Sequence, residues 1–150
     1  MLVTAKSFHS KMLWEWRNDP VTKQMSKNTE KISWEEHCSW YKKVLLDNCR
    51  KIFIGEKSGI PIGVVRFDKC DNEEYFFEVS INISPASRRK GFGKQLLNKG
   101  ISRLVKEVES CKFIRAVIKK DNDSCKKLFK SCGFILIKNE LEINSYQLTL

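Results

Sequence analysis

Three consecutive cations, Arg88, Arg89 and Lys90, run into Gly91, Phe92, Gly93 and Lys94 where an alternating segment, Ser80-Ile81-Asn82-Ile83, gives way to helical periodicity. Like charges side by side repel, and glycine within a helix costs about 1 kcal/mol relative to alanine. A bound polyanion would offset both. The first turn of a helix carries unpaired N–H groups and the positive end of the helix dipole, so it is a natural anion site. Glycines at 91 and 93 let the main chain come close to a phosphate where a Cβ would intrude. Two phosphate loops fail on spacing. The P-loop needs a glycine where Arg88 stands and Ser or Thr where Gln95 stands, and the dinucleotide fingerprint needs a third glycine where Leu96 stands.

The elements that must position this loop follow from periodicity. Phe8, Met12, Leu13 and Trp16 predict a helix from Ser7 to Arg17, ended by Asn18-Asp19-Pro20, with a short helical turn from Val21 to Met25. Ser33 with Glu36 forms a capping box that starts the next helix at Trp34. Two strands flank the turn Lys57-Ser58-Gly59, and Asp68 to Glu74 reads as a polar loop. From Tyr75 to Ile83 the odd residues form an apolar face, while Glu78, Ser80 and Asn82 lie opposite. Leu96, Leu97, Ile101, Leu104, Val105 and Val108 make the stripe of a long helix beginning at Gly93. A strand from Lys112, a helix capped by Asn122 or Asp121 and stopped by Gly133, and two last strands complete a mixed α/β pattern.

Composition narrows the classes. One hundred and fifty residues fit one domain, 1–150, with enough chain to bury a core. No signal-peptide run or membrane span is evident, so no membrane partner and a cytoplasmic location are expected. Six cysteines without a C-x-x-C pair and only two histidines argue for reduced thiols and against a metal site. The net charge of +10 sits between Ala86 and Lys130, where fourteen Lys/Arg face four Asp/Glu; the remainder balances at fourteen of each. A basic half wants an anionic partner, yet its cations are spread around helices without a nucleic-acid recognition motif or stacking platform, so nucleic acid is not expected.

Arg88-Arg89-Lys90-Gly91-Phe92-Gly93 resembles the R-x-x-G-x-G acetyl-CoA loop of the GNAT superfamily of N-acetyltransferases. Asn122-Asp123-Ser124-Cys125-Lys126-Lys127-Leu128-Phe129, ending in Gly133-Phe134, resembles that superfamily's later N-x-x-A-x-x-L-Y-x-x-x-G-F segment, with Cys for Ala and Phe for Tyr. The resemblance implies a GNAT fold: a mixed, mostly antiparallel central sheet of about six or seven strands flanked by about four helices. Acceptor-side helices would span about 7–46 and the acetyl-CoA-binding core about 52–150. It implies acetyl-CoA as acyl donor, without a metal. Main-chain groups from Lys90 to Lys94 would hold the diphosphate, with Arg88 and Arg89 adding charge. The pantetheine arm would lie along Ile81, Ile83 and Ser84, with Asn122 touching it and Cys125 and Phe129 near its thiol end.

The first half, with Trp16-Arg17-Asn18-Asp19-Pro20 and Ser33-Trp34-Glu35-Glu36-His37, resembles acetyltransferases of the pseudaminic acid pathway. That implies transfer to the 4-amino group of a UDP-linked deoxy amino sugar, by a monomer or homodimer. Arg17 would meet a phosphate or the base, Met25 and Trp40 would pack on the uracil, and His37 would hydrogen-bond it. A protein or small-molecule amine is the alternative acceptor. Core packing for the tryptophans, a surface ion pair for Arg17 and a structural role for His37 stay open. For the chemistry, Glu78 beside Ser80 is the candidate to take the amine proton, with an exposed strand carboxylate as its alternative reading. Phe129 cannot protonate a leaving thiolate, and neither Tyr75 nor Tyr146 is placed to replace it. Direct attack of the amine is preferred over an acyl-carrying Cys125 or Cys132, for which no histidine neighbour is indicated.

Overall fold

Alternating hydrophobicity in the middle of the chain becomes one seven-stranded sheet in the computed structural model, which describes residues 1–70 and 75–150. The order along the chain is β1 (Leu2–Thr4), a 3-10 turn at Ser7–His9, α1 (Ser10–Asn18), α2 (Pro20–Met25), α3 (Trp34–Leu46), β2 (Arg50–Lys57), β3 (Ile60–Lys69) and β4 (Phe76–Ile83). A 3-10 turn at Pro85–Ser87 leads to α4 (Phe92–Glu107), β5 (Phe113–Lys119), α5 (Asp123–Ser131), β6 (Ile135–Asn139) and β7 (Ile143–Thr149). The strands lie in the order β1-β2-β3-β4-β5-β7-β6, antiparallel except for β4 and β5.

The local signals act as their chemistry dictates. Ser33 accepts the Glu36 N–H at 3.2 Å and starts α3. Asn122, not Asp121, caps α5 by accepting the Cys125 N–H at 3.3 Å. Ser58 and Gly59 take φ of 51° and 76°, the two positive values a tight two-residue hairpin turn requires.

Two apolar clusters form on the two sheet faces. Phe53, Val65, Phe67, Phe77 and Val79 meet Leu96, Leu97 and Leu104 of α4, with α5 contributing Phe129. On the other face Leu13, Tyr41 and Val44 cover Ile52 and Ile54. Each large side chain fully removed from water contributes roughly 2 kcal/mol. Gly100, which periodicity overlooks, lets α4 lie close on the sheet: a Cβ there would stand 2.7 Å from Val65 Cγ1.

Several boundaries differ from the sequence reading. Strand β1 was not anticipated; three residues are too few to show a period, and the strand is defined by its pairing with β2. The described residues hold five α-helices. The first expected helix opens as a 3-10 turn because His9 folds back, its Nδ1 accepting the Lys6 N–H at 2.9 Å. The polar loop begins later than expected, since Asp68 and Lys69 pair with Glu78 and Phe77; its residues 71–74 lie outside the described residues. Val105 is 40% exposed rather than part of the apolar stripe.

Candidate functional site

β4 and β5 run parallel for only three residue pairs, from Phe76↔Phe113 to Glu78↔Arg115. Beyond Glu78, β4 continues against β3 as far as Ile83 but has no pairing with β5. The two strands splay. Ser84 donates its N–H to Ile62 O across β3 at 2.9 Å. Because hydrogen-bonding direction alternates along a strand, Ile83 and Ile81 turn their N–H and C=O groups the other way, into the gap. An open strand edge of this kind accepts an extended amide chain. Ser84, expected beside that chain, is 5% exposed, with its N–H on Ile62 and its carbonyl accepting from Ser87 at 2.9 Å, so its main chain has no role at the gap.

At the far end of the gap lies the glycine loop. Gly91 is the N-cap of the 16-residue α4 and offers no side-chain acceptor to the first turn, whose N–H groups therefore face outward. Its φ is 77°, and Arg89 shares the left-handed region at 61°. A Cβ built on Gly91 meets nothing within 4 Å, whereas one on Gly93 would stand 3.2 Å from Leu128 of α5. The two glycines thus divide the work: Gly91 shapes the turn, and Gly93 lets α4 and α5 approach. Arg89, Lys90 and Lys94 are exposed around the turn, and the Phe92 ring carries Lys57 Nζ 5.0 Å from its centroid. The loop, the open helix end and the bare edge fit a diphosphate joined to an extended amide arm.

Arg88 departs from expectation. Its Nη2 donates to Asp19 Oδ2 at 2.8 Å and Thr22 Oγ1 at 2.7 Å. Asp19 also caps α2 by accepting the Thr22 N–H at 3.2 Å. The Thr22 hydroxyl donates to Asn82 Oδ1 at 3.1 Å, and Asn82 Nδ2 donates to Trp16 O at 3.3 Å. Arg88 is therefore a tie between the glycine loop and the N-terminal helices, through to β4. Burial alone would raise the Asp19 carboxyl, but the Arg88 and Thr22 hydrogen bonds and the guanidinium charge outweigh it and hold Asp19 below the usual carboxylate range.

α1 and α3 pack on Ile52, Ile54 and Val64, and the same sheet face carries Arg66, Asp68, Glu78 and Ser80 on β3 and β4, with Arg66 directly across from Ser80. Arg17 Nη2 donates to Asn28 O at 2.7 Å, while its Nη1 is buried without a hydrogen bond among the described residues. Burial and, second, the charge of Arg66 lower the Arg17 guanidinium. Arg66 donates Nε to Asp68 Oδ2 at 2.9 Å and lies 5.4 Å from the centroid of the half-buried Trp40 ring. Met25 ends α2, partly exposed. Glu78 is ion-paired with Lys27 at 2.7 Å, and Ser80 is exposed two residues along the same face. His37 is not on this surface. It is 4% exposed, touches Ser10 Oγ at 3.1 Å and stacks on Tyr41; burial lowers it below the usual imidazole value, which leaves it neutral, so its role is structural.

On α5, Asn122 Oδ1 is engaged as the cap, leaving its NH₂ as the group it can offer. Burial pushes the Cys125 thiol up to about 11, which keeps it protonated and unsuited to carry an acyl group. Phe129, expected near the thiol end, is 2% exposed and packs edge-on against Phe134 at 4.9 Å; it belongs to the core. Tyr146 is likewise buried, and Tyr75 stands exposed before β4 begins. Sequence reasoning missed Asp19, Thr22, Asn82 and Arg66 as members of the site. Asn82 carried a signal as a polar residue on the face of Glu78 and Ser80, and Asp19 as part of the Trp16–Pro20 run; Thr22 and Arg66 carried none. No cluster of three His, Cys, Asp or Glu able to hold a metal occurs among the described residues, and none of their helices is long and apolar enough to cross a membrane.

Comparison with known proteins places this geometry. The family model described as Acetyltransferase (GNAT) family matches residues 10–134. The chain is similar to Acetyltransferase PseH of Campylobacter jejuni subsp. jejuni serotype O:2, at 27% identity over 126 residues, covering 84% of this chain and 76% of that protein. In structure it is similar to a spermidine N-acetyltransferase from Vibrio cholerae in complex with CoA and spermine, with a TM-score of 0.88 and 17% identity over 99% of this chain and 94% of that one. It is also similar to Campylobacter jejuni N-acetyltransferase PseH in complex with acetyl coenzyme A, with a TM-score of 0.77 and 21% identity, covering 99% of each chain.

Proposed function

The chain belongs to the GNAT acetyltransferase family, and from that premise we propose that it moves an acetyl group from acetyl-CoA to the 4-amino group of a UDP-linked deoxy amino sugar. The likeness to PseH supports the acceptor. The observation that carries the reading is the charge of the acceptor face: Arg17, Arg66, Arg115 and Lys27 stand there with Asp68 and Glu78. Glu78 is ion-paired to Lys27 at 2.7 Å and Asp68 Oδ2 to Arg66 at 2.9 Å, while Asp68 Oδ1 is buried without a hydrogen bond among the described residues, so four cations stand against two carboxylates. A polyamine or a lysine side chain would meet repulsion; an anionic acceptor would meet attraction.

The coenzyme supplies an activated thioester. Amides from Lys90 to Lys94 hold its diphosphate, and the open edge at Ile81 and Ile83 aligns its amide arm. A β4 N–H turned into the gap donates to the thioester oxygen, where charge develops during attack. Holding amine and thioester together removes much of the entropic barrier. A sugar amine flanked by electron-withdrawing oxygens is less basic than lysine, whose reference value is about 10.4, so a modest base suffices. Glu78, with Ser80 beside it on the same strand face, takes its proton through water. Phe129 has no hydroxyl, and the thiolate leaves without a side-chain acid. The test is a thiol-release assay with acetyl-CoA and a panel of UDP-amino sugars, free amino sugars, spermidine and peptides. Turnover with a UDP-amino sugar alone is expected; turnover with spermidine or a peptide in its place would overturn the reading.

A further inference from the structure

We propose that this chain acetylates itself at Lys27. The inference rests on the acetyl-transfer reading and on Glu78 as the group that takes the amine proton, and it gives that site a second, internal acceptor.

Glu78 already holds an amine. Lys27 Nζ donates to Glu78 Oε1 at 2.7 Å, with the lysine side chain 62% exposed. Lys27 belongs to residues 26–33, the connector between α2 and α3, which forms neither helix nor strand. The connector is nonetheless pinned on both sides of it. Ser26 Oγ donates to Thr22 O at 2.7 Å, and the Asn28 carbonyl accepts from Arg17 Nη2 at 2.7 Å. Farther along, Ile32 O accepts from Trp14 Nε1 at 2.7 Å. The amine is presented to the carboxylate by an anchored backbone.

The place of that carboxylate gives the contact its chemistry. Glu78, in register with Arg115, is the last residue of β4 paired with β5, and the gap opens immediately beyond it. With the diphosphate held at the start of α4, an arm extended back along Ile83 and Ile81 carries its acyl end toward this vertex. The flanking charges have partners of their own. Arg115 donates Nε to Gln147 at 3.1 Å, and Asp68, in register with Glu78 on β3, holds Arg66 through Oδ2 at 2.9 Å. Asp68 Oδ1 is buried without a hydrogen bond and lies 3.8 Å from Arg50 Nε. Among the described residues Lys27 is ion-paired to Glu78 alone. The cations of the acceptor face repel a lysine arriving from solution, but Lys27 is one of those cations. Its tether replaces a bimolecular encounter with an effectively unimolecular one.

The step balances. The Lys27 ammonium gives one proton to Glu78, which passes it to water. The freed nitrogen lone pair forms a C–N bond with the acetyl carbonyl carbon, the C–S bond breaks, and its electron pair leaves on sulfur as CoA thiolate. The nitrogen then loses its second proton to water. The product is a neutral amide that no longer ion-pairs with Glu78, so each chain reacts once and the carboxylate is freed. Lys138 provides an internal control: it meets Glu140 at 2.6 Å, but at the end of β6, the outer strand of the sheet.

The test incubates the full chain, without acceptor, with acetyl-CoA bearing an isotopically heavy acetyl group. Labelled lysines are followed by peptide mass spectrometry alongside thiol release. Lys27 is expected to be labelled at least about tenfold faster than Lys138, with a rate constant independent of protein concentration. Thiol release should stop near about one per chain, a single burst. Glu78→Gln should slow labelling of Lys27 by about tenfold or more while the Lys138 rate, acetyl-CoA affinity and thermal midpoint hold. Lys27→Arg should abolish the burst. Hydroxylamine should leave the label in place, as it does an amide; its loss would move the label to a cysteine and overturn the inference. So would labelling of Lys27 no faster than Lys138, a rate that scales with protein concentration, or an unchanged Lys27 rate in Glu78→Gln. Turnover of a UDP-amino sugar with Lys27 unlabelled would overturn the inference and leave the acetyl-transfer reading standing. Labelled Lys27 with no UDP-amino sugar acetylated would uphold it and overturn the proposed acceptor.

Discussion

The two ends of the cleft are built from different materials. The end proposed for the coenzyme is main chain: outward N–H groups at the start of α4, a turn that Gly91 closes at a φ of 77°, and the strand edge of Ile81 and Ile83. The end proposed for the acceptor is side chain held by side chain: Arg88 on Asp19, Thr22 on Asn82, Arg66 on Asp68, Lys27 on Glu78. A main-chain site tolerates change wherever a side chain points away, but not where a Cβ or a charge enters. A side-chain site fails by pieces, and each piece has its own partner.

The largest effect should come from Gly91→Glu. It strains a left-handed residue by about 1–2 kcal/mol and sets a carboxylate at the anion site, so acetyl-CoA affinity should fall by about a hundredfold or more by calorimetry. Unchanged affinity would remove the main-chain site from the account.

Arg88→Gln probes the seam between the two ends. Since Arg88 is tied to α2, the variant should raise the acceptor KM by about tenfold, the order of one charged hydrogen-bond pair, with little change in acetyl-CoA affinity. A large loss of coenzyme affinity instead would make Arg88 a phosphate ligand. The same pair has a pH signature. Asp19 is held below its usual value, so the pair's stabilisation is fully present above the ordinary carboxylate range near 4. It is lost as pH falls through the lower folded value. The gap in thermal midpoint between wild type and Arg88→Gln should therefore be widest at neutral pH and close in acid.

How far the sequence reached follows the same division. Ser33 acts within one helical turn, so its type and spacing suffice to read it; the same kind of signal left Asn122 and Asp121 both open as the cap of α5 and set the start of α4 at Gly93, two residues past its N-cap Gly91. Asp19 was legible as the end of one helix and the start of another. Nothing near it says that Arg88, 69 residues away, shares its carboxylate. Arg66 looks like any polar residue on an alternating strand until the fold brings Arg17 and Trp40 against it. His37 and Phe129 were misplaced for a related reason. Resemblance names a position, but burial decides whether the side chain reaches the cleft, and both are in packed interiors.

Smaller effects sharpen the acceptor end. Glu78→Gln should lower turnover by about tenfold or more on the acidic side of the profile, where proton removal from the amine is most demanding. A wild-type profile would leave Glu78 only its ion pair with Lys27. Cys125→Ala should change turnover least of all, because a thiol pushed up to about 11 takes no part at neutral pH. Loss of an acetylated intermediate by mass spectrometry would contradict direct attack.

The most direct measurement is a crystal structure of the complex with coenzyme A. The diphosphate should lie within hydrogen-bonding distance of the amides from Lys90 to Lys94, with the amide arm along Ile81 and Ile83. A diphosphate bound elsewhere, with the Arg88 side chain turned into that loop, would contradict the account.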